Sequence, residues 1–301
     1  MTAQKIIPNI WCTRNAEDVG AFYASVFGGE SRVSGRYPEE GLPDFQREFA
    51  GAAVTVDVDI DGYRITLINA GNEFRPNPTV SFLVNVDPLR FDGDEAAARS
   101  WMNETWSRLS EGGTAMMPLT AYPHSPYYGW IEDRFGVSWQ LMLTDPAGEP
   151  RPFLIPQLLF VGPAQGRARE AIDLYTGLFE DSAPGMFVGY PAARGPAKAG
   201  EAMFAEFRLA GQWFAAMDSG SEMSARFDCG VSLEVRCEDQ DEIDRLWAAL
   251  SAVPEAEACG WCADRFGLSW QIVPANIGEL MTRPGAYQRL MGMKKLVIAD
   301  F

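Results

Sequence analysis

Residues 129–140 read Gly-Trp-Ile-Glu-Asp-Arg-Phe-Gly-Val-Ser-Trp-Gln, and residues 260–271 read Gly-Trp-Cys-Ala-Asp-Arg-Phe-Gly-Leu-Ser-Trp-Gln. Nine of the twelve positions are identical. In each copy two short runs that suit β-strands flank Asp-Arg-Phe-Gly. Asp at the start of such a turn can accept from its own backbone, and Gly at the end takes a positive φ without steric cost. In the run after the first turn, Val137, Trp139 and Leu141 share one face and Ser138, Gln140 and Met142 the other. The bulky face belongs under helices. The mixed face, a hydroxyl and an amide among apolar neighbours, suits a wall that lines a ligand. The burial habits of Trp and Phe make most of the motif scaffold. Ser138 and Gln140, with their counterparts Ser269 and Gln271, are the motif's candidate ligand-facing residues.

The echo extends outward. Val19, Phe22, Tyr23, Val26 and Phe27, and later Ala168, Ile172, Tyr175, Leu178 and Phe179, fall at helical spacing, so each set predicts an amphipathic helix. A short β-like run containing Ile-Pro precedes each helix. After it the period changes to two. Residues 54–60 turn at Asp61-Gly62 into 63–68, and residues 203–209 turn at Ala210-Gly211 into 212–217. Strands at 80–86 and 231–237 follow, each leading to a helix that ends in Trp-x-x-Leu-Ser, and the dodecamer closes each half. Each half therefore reads β-α-β-β-β twice, giving an α+β chain with domains at 1–147 and 152–278 and a helix-strand tail at 279–301. The Pro-rich stretch 145–152 has linker chemistry.

A chain of 301 residues suits two domains, and 47% hydrophobic with 22% charged residues is a globular composition. The formal charge of −16 opposes nucleic-acid binding. No apolar run is long enough for a membrane helix and the N-terminal residues show no signal-peptide block, so cytoplasm is the expected compartment. Five cysteines, Cys12, Cys229, Cys237, Cys259 and Cys262, read as reduced thiols. The Cys259-x-x-Cys262 spacing leads into a turn and has no second pair to complete a zinc site.

On the Trp11 and Phe22-Tyr23 opening, the two hairpins, both Asp-Arg-Phe-Gly-x-Ser-Trp-Gln segments and Met291-Gly-Met-Lys-Lys-Leu296, the chain resembles the vicinal-oxygen-chelate superfamily. That superfamily holds glyoxalase I, extradiol dioxygenases and bleomycin-resistance proteins. The likeness is greatest to its PhnB-like branch, often labelled "3-demethylubiquinone-9 3-methyltransferase", in tandem duplicate. The resemblance implies paired βαβββ modules whose strands curl into a cup with helices outside, and relatives commonly pair modules between chains. In metal-dependent relatives the cup holds a divalent ion.

Carried over residue by residue, the ligand positions fall on Pro8 or Asn9, Thr66, Ser81 and Gln140 in one half. In the other they fall on Pro156 or Gln157, Ala215, Ser232 and Gln271. None is His, Cys, Asp or Glu, and neutral amides and hydroxyls bring no charge to offset stripping water from a divalent cation. No metal and no cofactor are therefore expected. His124, the chain's sole histidine, reads as a loop residue. The methyltransferase label lacks a glycine-rich loop of nucleoside-binding spacing; Gly162-Pro-Ala-Gln-Gly166 comes closest.

Three readings follow. The first is a metal-free cup that binds a small organic molecule through Thr66, Ser81, Ser138, Gln140, Ser232, Glu234, Ser269 and Gln271. Asp57 and Glu206, five residues before Gly62 and Gly211, would be its acid/base candidates if they face the cup. The second is a non-catalytic interaction protein whose cups are filled by Trp and Met side chains, with residues 288–298 packing on a second subunit of a homodimer. The third is a metal-dependent lyase or dioxygenase, which a one-residue slip of strand register would readmit.

Overall fold

The computed structural model describes residues 4–301. Four modules follow one another. The first is β1 (Ile6–Thr13), α1 (Ala16–Phe27), β2 (Glu30–Arg36), β3 (Ala53–Ile60) and β4 (Tyr63–Ala70). The second is β5 (Val80–Val86), α2 (Glu95–Ser110), β6 (Thr114–Tyr122), β7 (Ser125–Glu132) and β8 (Ser138–Leu143). The third is β9 (Leu154–Phe160), α3 (Ala168–Leu178), β10 (Ala183–Gly189), β11 (Ala202–Leu209) and β12 (Gln212–Asp218). The fourth is β13 (Val231–Cys237), α4 (Gln240–Leu250), β14 (Trp261–Ala263) and β15 (Ser269–Pro274).

The fourth module is one strand short of the expected pattern. Where the second has β6, residues between α4 and β14 make a 3-10 turn at Pro254–Ala256, and proline has no N–H to give a ladder. Local chemistry accounts for the other boundaries. The Asp94 and Asp239 carboxylates accept from the first N–H groups of α2 and α4. The hairpins at Asp61-Gly62 and Ala210-Gly211 have φ of 55° and 78°, then 48° and 75°, the doubly positive pattern that matches strand twist.

The strands form two mixed sheets, and each draws one module from each half. The first sheet runs β14-β15-β13-β1-β4-β3-β2, and the second β10-β11-β12-β9-β5-β8-β7-β6. The seams between modules are antiparallel, β1 on β13 and β5 on β9. Modules one and four thus share a sheet, as do modules two and three. The paired βαβββ architecture is present, with partners taken across the linker.

Helices cover the convex faces and lie between the sheets. One continuous core joins Val56, Leu67 and Trp270 of the first sheet to Phe82, Trp139 and Phe214 of the second through Tyr23 and Tyr175. No helix of the described residues is long and apolar enough to cross a membrane.

After β15 the tail makes helical turns, α5 (Ile277–Leu280) and α6 (Ala286–Gly292), and contains no strand where a helix-strand tail was expected. It packs on its own chain. Val273 of the concave face anchors a small core with Leu280, Ala286, Leu296 and Phe301. Residues Met293 and Lys294 accept from the Cys259 and Gly260 amides next to β14. Tyr287 Oη donates to Gln46 Oε1 at 2.6 Å and Gln288 Nε2 to the Gly41 carbonyl, both in the β2–β3 connection. The tail therefore straps one edge of the first sheet to the other.

Candidate functional site

The repeated dodecamer is a latch, built identically twice. The Asp133 carboxylate accepts from Tyr23 Oη (2.8 Å), Trp139 Nε1 (2.9 Å) and the Phe135 and Val137 amides (2.8 and 3.1 Å). The Asp264 carboxylate accepts from Tyr175 Oη (2.6 Å), Trp270 Nε1 (2.9 Å) and the Phe266 and Leu268 amides (2.8 and 3.1 Å). Tyr23 rides on α1, which covers the first sheet, while Asp133 and Trp139 belong to the second. Tyr175 on α3 makes the reverse connection. Each latch ties the helix of one sheet to the turn of the other. Burial pushes both carboxyls up from the ordinary aspartate value, against the opposing pull of the four donors. The turn–backbone bond was legible in the sequence; the Tyr and Trp donors were not.

The concave faces are where the two sheets differ. Across the first, cross-strand neighbours form a polar row of Ser232, Asn9, Thr66, Asp57 and Arg32. Beside it runs Trp261, Gln271, Glu234 and Ile7. Asn9 Nδ2 donates to Gln271 Oε1 (3.0 Å) and to Glu234 Oε2 (3.3 Å). Those two acceptors fix the amide's orientation and leave Asn9 Oδ1 buried without a partner. Thr66 Oγ1, Ser34 Oγ and Arg32 Nη2 donate to Asp57 at 3.0, 3.0 and 3.2 Å. Arg236 Nε donates to Glu234 Oε1 at 2.8 Å, and Trp261 Nε1 to Ser232 Oγ at 3.3 Å. Trp11, Arg64, Arg236, Trp261 and Gln271 remain partly exposed, so solvent reaches this face.

Equivalent registers on the second sheet give Ser138, Ser81, Gln157, Ala215 and Glu206, beside Trp130, Gln140, Leu83 and Ile155. Two exchanges change its character: Ala215 stands where the first sheet has Thr66, and Leu83 where it has Glu234. The polar groups that remain are consumed internally. Tyr128 Oη donates to Gln140 Oε1 at 2.5 Å, Gln140 Nε2 to Ser81 Oγ at 2.9 Å and Trp130 Nε1 to Ser138 Oγ at 2.6 Å. Met116, Met117, Met142, Met217 and Met223 pack around Tyr128 and Trp130. Methionine suits such filling because its unbranched thioether adapts to irregular gaps.

The sequence-predicted residues are thus divided. Thr66, Ser232, Glu234, Ser269 and Gln271 belong to the first sheet with Asp57; Ser81, Ser138 and Gln140 belong to the second with Glu206. Gln140 and Ser138 do not meet Thr66 and Asp57. Both acid/base candidates are engaged by guanidinium groups, Asp57 by Arg32 and Glu206 by a fork from Arg151 of the linker (2.9–3.2 Å). Such a fork orients and neutralises a carboxylate. Asn9 and Arg64 complete the first cup. Asn9 was legible only as an alternative to Pro8, and Arg64 gave no signal beyond its strand.

The thiols are shielded. Burial pushes Cys12, Cys237 and Cys262 up to about 12. In the native protein near pH 8 these three are expected to resist iodoacetamide, with full labelling only in denaturant. Mass mapping of the modified cysteines checks this, and prompt native labelling of Cys12 would contradict it.

The two mixed sheets, each pairing one module from either half, are the paired-module architecture that the family resemblance implied. The chain belongs to the family described as 3-demethylubiquinone-9 3-methyltransferase, which matches residues 4–142 and again residues 152–273. No curated protein matches the chain. Among solved structures it is similar to a putative 3-demethylubiquinone-9 3-methyltransferase, a PhnB protein from Bacillus cereus. Identity is 28%, TM-score 0.39, and the match covers 47% of this chain and 100% of that one. A glyoxalase I variant from Zea mays aligns over 92% of this chain and 96% of its own, at 11% identity and TM-score 0.48. A lactoylglutathione lyase from Agrobacterium tumefaciens shares 15% identity over 47% of this chain and 93% of its own, with TM-score 0.29.

Metal-dependent members of the fold imply a divalent ion, and the donor set can be tested for it. Among the described residues no three His, Cys, Asp or Glu side chains converge. The first cup offers the amides of Asn9 and Gln271, the hydroxyls of Thr66 and Ser232, and two carboxylates that are already tied to guanidinium groups, Glu234 to Arg236 and Asp57 to Arg32. The second offers Gln140 and serines bonded to one another or to Tyr and Trp, Gln157 against Met217, and Glu206 tied to Arg151. Neither set fits a hard divalent cation, which calls for carboxylate or imidazole ligands free to coordinate.

Proposed function

We propose that the chain binds a small polar organic molecule, without a metal ion, on the concave face of the first sheet, and that the second sheet serves as its filled structural counterpart. The observation that carries this reading is the contrast at equivalent positions. Asn9, Glu234 and Gln271 line a face that solvent reaches, whereas Gln157, Leu83 and Gln140 lie beneath methionine and tyrosine. Gln271 and Asn9 supply orienting hydrogen bonds, while Trp11 and Trp261 supply flat apolar walls, the mixture typical of small-molecule sites.

A nucleoside cofactor for methyl transfer finds no support in the glycines. Gly162 and Gly166 do connect β9 to α3. A Cβ added to Gly162 would meet the Ala225 carbonyl at 2.8 Å and one added to Gly166 the Glu201 carboxylate at 2.7 Å, so chain atoms already fill the space where a phosphate or sugar would need room.

A thermal-shift screen of polar metabolites, followed by calorimetry on the hits, tests the proposal. Gln271→Leu is expected to weaken a hit about tenfold, the loss of one to two buried hydrogen bonds, while Gln140→Leu leaves its affinity unchanged. Hits that ignore Gln271→Leu, or that depend equally on Gln140, would overturn it.

A further inference from the structure

We propose that Arg64 and Arg236 form a clamp for an anionic group, a carboxylate or a phosphoryl, on the ligand of the first cup. This rests on the reading of that cup as a binding site and names the class of molecule it takes. The two residues stand on β4 and β13, the strands that flank β1, and both alternate with core residues so that they face the cup.

Each guanidinium approaches one carboxylate through its Nε. Arg236 Nε donates to Glu234 Oε1 at 2.8 Å, and Arg64 Nε lies 3.8 Å from Asp57 Oδ2. The Nη groups of both have no hydrogen-bond partner among the described residues. Their side chains are nonetheless only 32% and 34% exposed, far less than the 69% of Arg32 at the rim. Arg236, tethered through Nε, keeps its two Nη groups pre-oriented as a fork, the geometry that a carboxylate or phosphate accepts in pairs, and Arg64 is drawn to the same face by the looser ion pair to Asp57.

The acidic groups nearby are otherwise engaged. Asp57 takes Thr66, Ser34 and Arg32; Glu234 takes Asn9 and Arg236. Asp59, across β3 from Arg64, accepts from the Gly62 amide at the hairpin, and Glu30 lies exposed at the outer edge. In a chain of net charge −16, two half-buried arginines with free Nη groups on one concave face are a local exception. The counterpart of Arg64 on the second sheet is Trp213, stacked beneath Arg151, so the clamp is confined to the solvent-reached cup.

Amide-resolved NMR titration of the full chain with benzoate, phenyl phosphate and neutral benzamide, in phosphate-free buffer, tests the clamp. At least one anion is expected to shift the β1, β4 and β13 amides and to bind about tenfold or more tightly than benzamide. The benzoate and phenyl phosphate arms tell a carboxylate clamp from a phosphoryl one. Arg64→Gln and Arg236→Gln should each cost about tenfold in anion affinity and nothing for benzamide. Arg64→Lys and Arg236→Lys, which keep the charge and guard against a misfolded variant, should lose less. Arg208→Gln on the second sheet should have no effect.

Equal affinity for benzamide and benzoate, or anion binding that survives both glutamine variants, overturns the clamp. If those probes still depend on Gln271, the cup reading stands while the clamp falls. Anion shifts confined to the second sheet would remove both.

Discussion

Replacing Asp133 with alanine is expected to lower the unfolding free energy by about 4 kcal/mol, because it strands four buried donors at once. Those donors are Tyr23 Oη, Trp139 Nε1 and the two turn amides. Asp264→Ala should cost a similar amount, and the double variant should not fold. Tyr23→Phe removes a single donor that faces the carboxylate and should cost only about 1 kcal/mol. Urea unfolding of each variant reads these differences. An Asp133→Ala effect no larger than that of Tyr23→Phe would show that the latch holds nothing.

The latch also predicts an unusual pH dependence. Burial raises both carboxyls, so the folded chain binds their protons more readily than the unfolded chain does. A raised group contributes stability that is fully present below its unfolded value, about pH 4 for aspartate, and is lost as pH rises through the folded value. Measured against Asp133→Asn, which does not titrate, the wild-type chain should therefore gain stability on acidification from neutrality toward about pH 4. A wild-type advantage that shrinks over that range would contradict the assignment.

The sequence made the modules legible because their signals are local. Period-two runs, Asp61-Gly62, Ala210-Gly211 and the twin Asp-Arg-Phe-Gly turns each depend on a few adjacent residues. The partner of each module was not legible. β5 and β13 are equivalent strands with similar apolar patterns, Val-Ser-Phe-Leu-Val and Val-Ser-Leu-Glu-Val, and either could pair with β1 by local chemistry. The site suffered for the same reason. Thr66, Ser232 and Gln271 were recognisable as inward positions, but grouping Thr66 with Gln140 presumed pairing within a half. The β-α-β-β-β pattern implies a strand between α4 and β14, and the turn at Pro254 shows why it is missing.

That module exchange carries the strongest expectation. A chain ending at residue 147 retains modules one and two, which do not share a sheet in the full protein. It would leave β1 without β13 and β5 without β9, exposing two long unpaired edges over buried polar rows. Module one is the counterpart of module three, however, and module two of module four. β1 of one copy can therefore take β5 of another, and two copies rebuild both sheets with the same antiparallel seams. The shortened chain is expected to be a dimer by sedimentation, with unfolding midpoints that rise with concentration, as coupled folding and assembly demands. Co-expression with residues 148–301 should instead yield a one-to-one complex that recovers the cup of Asn9, Thr66, Glu234 and Gln271. A shortened chain that stays monomeric and unfolds cooperatively, independent of concentration, would mean that modules one and two can close a sheet by themselves, and the exchanged pairing would be wrong.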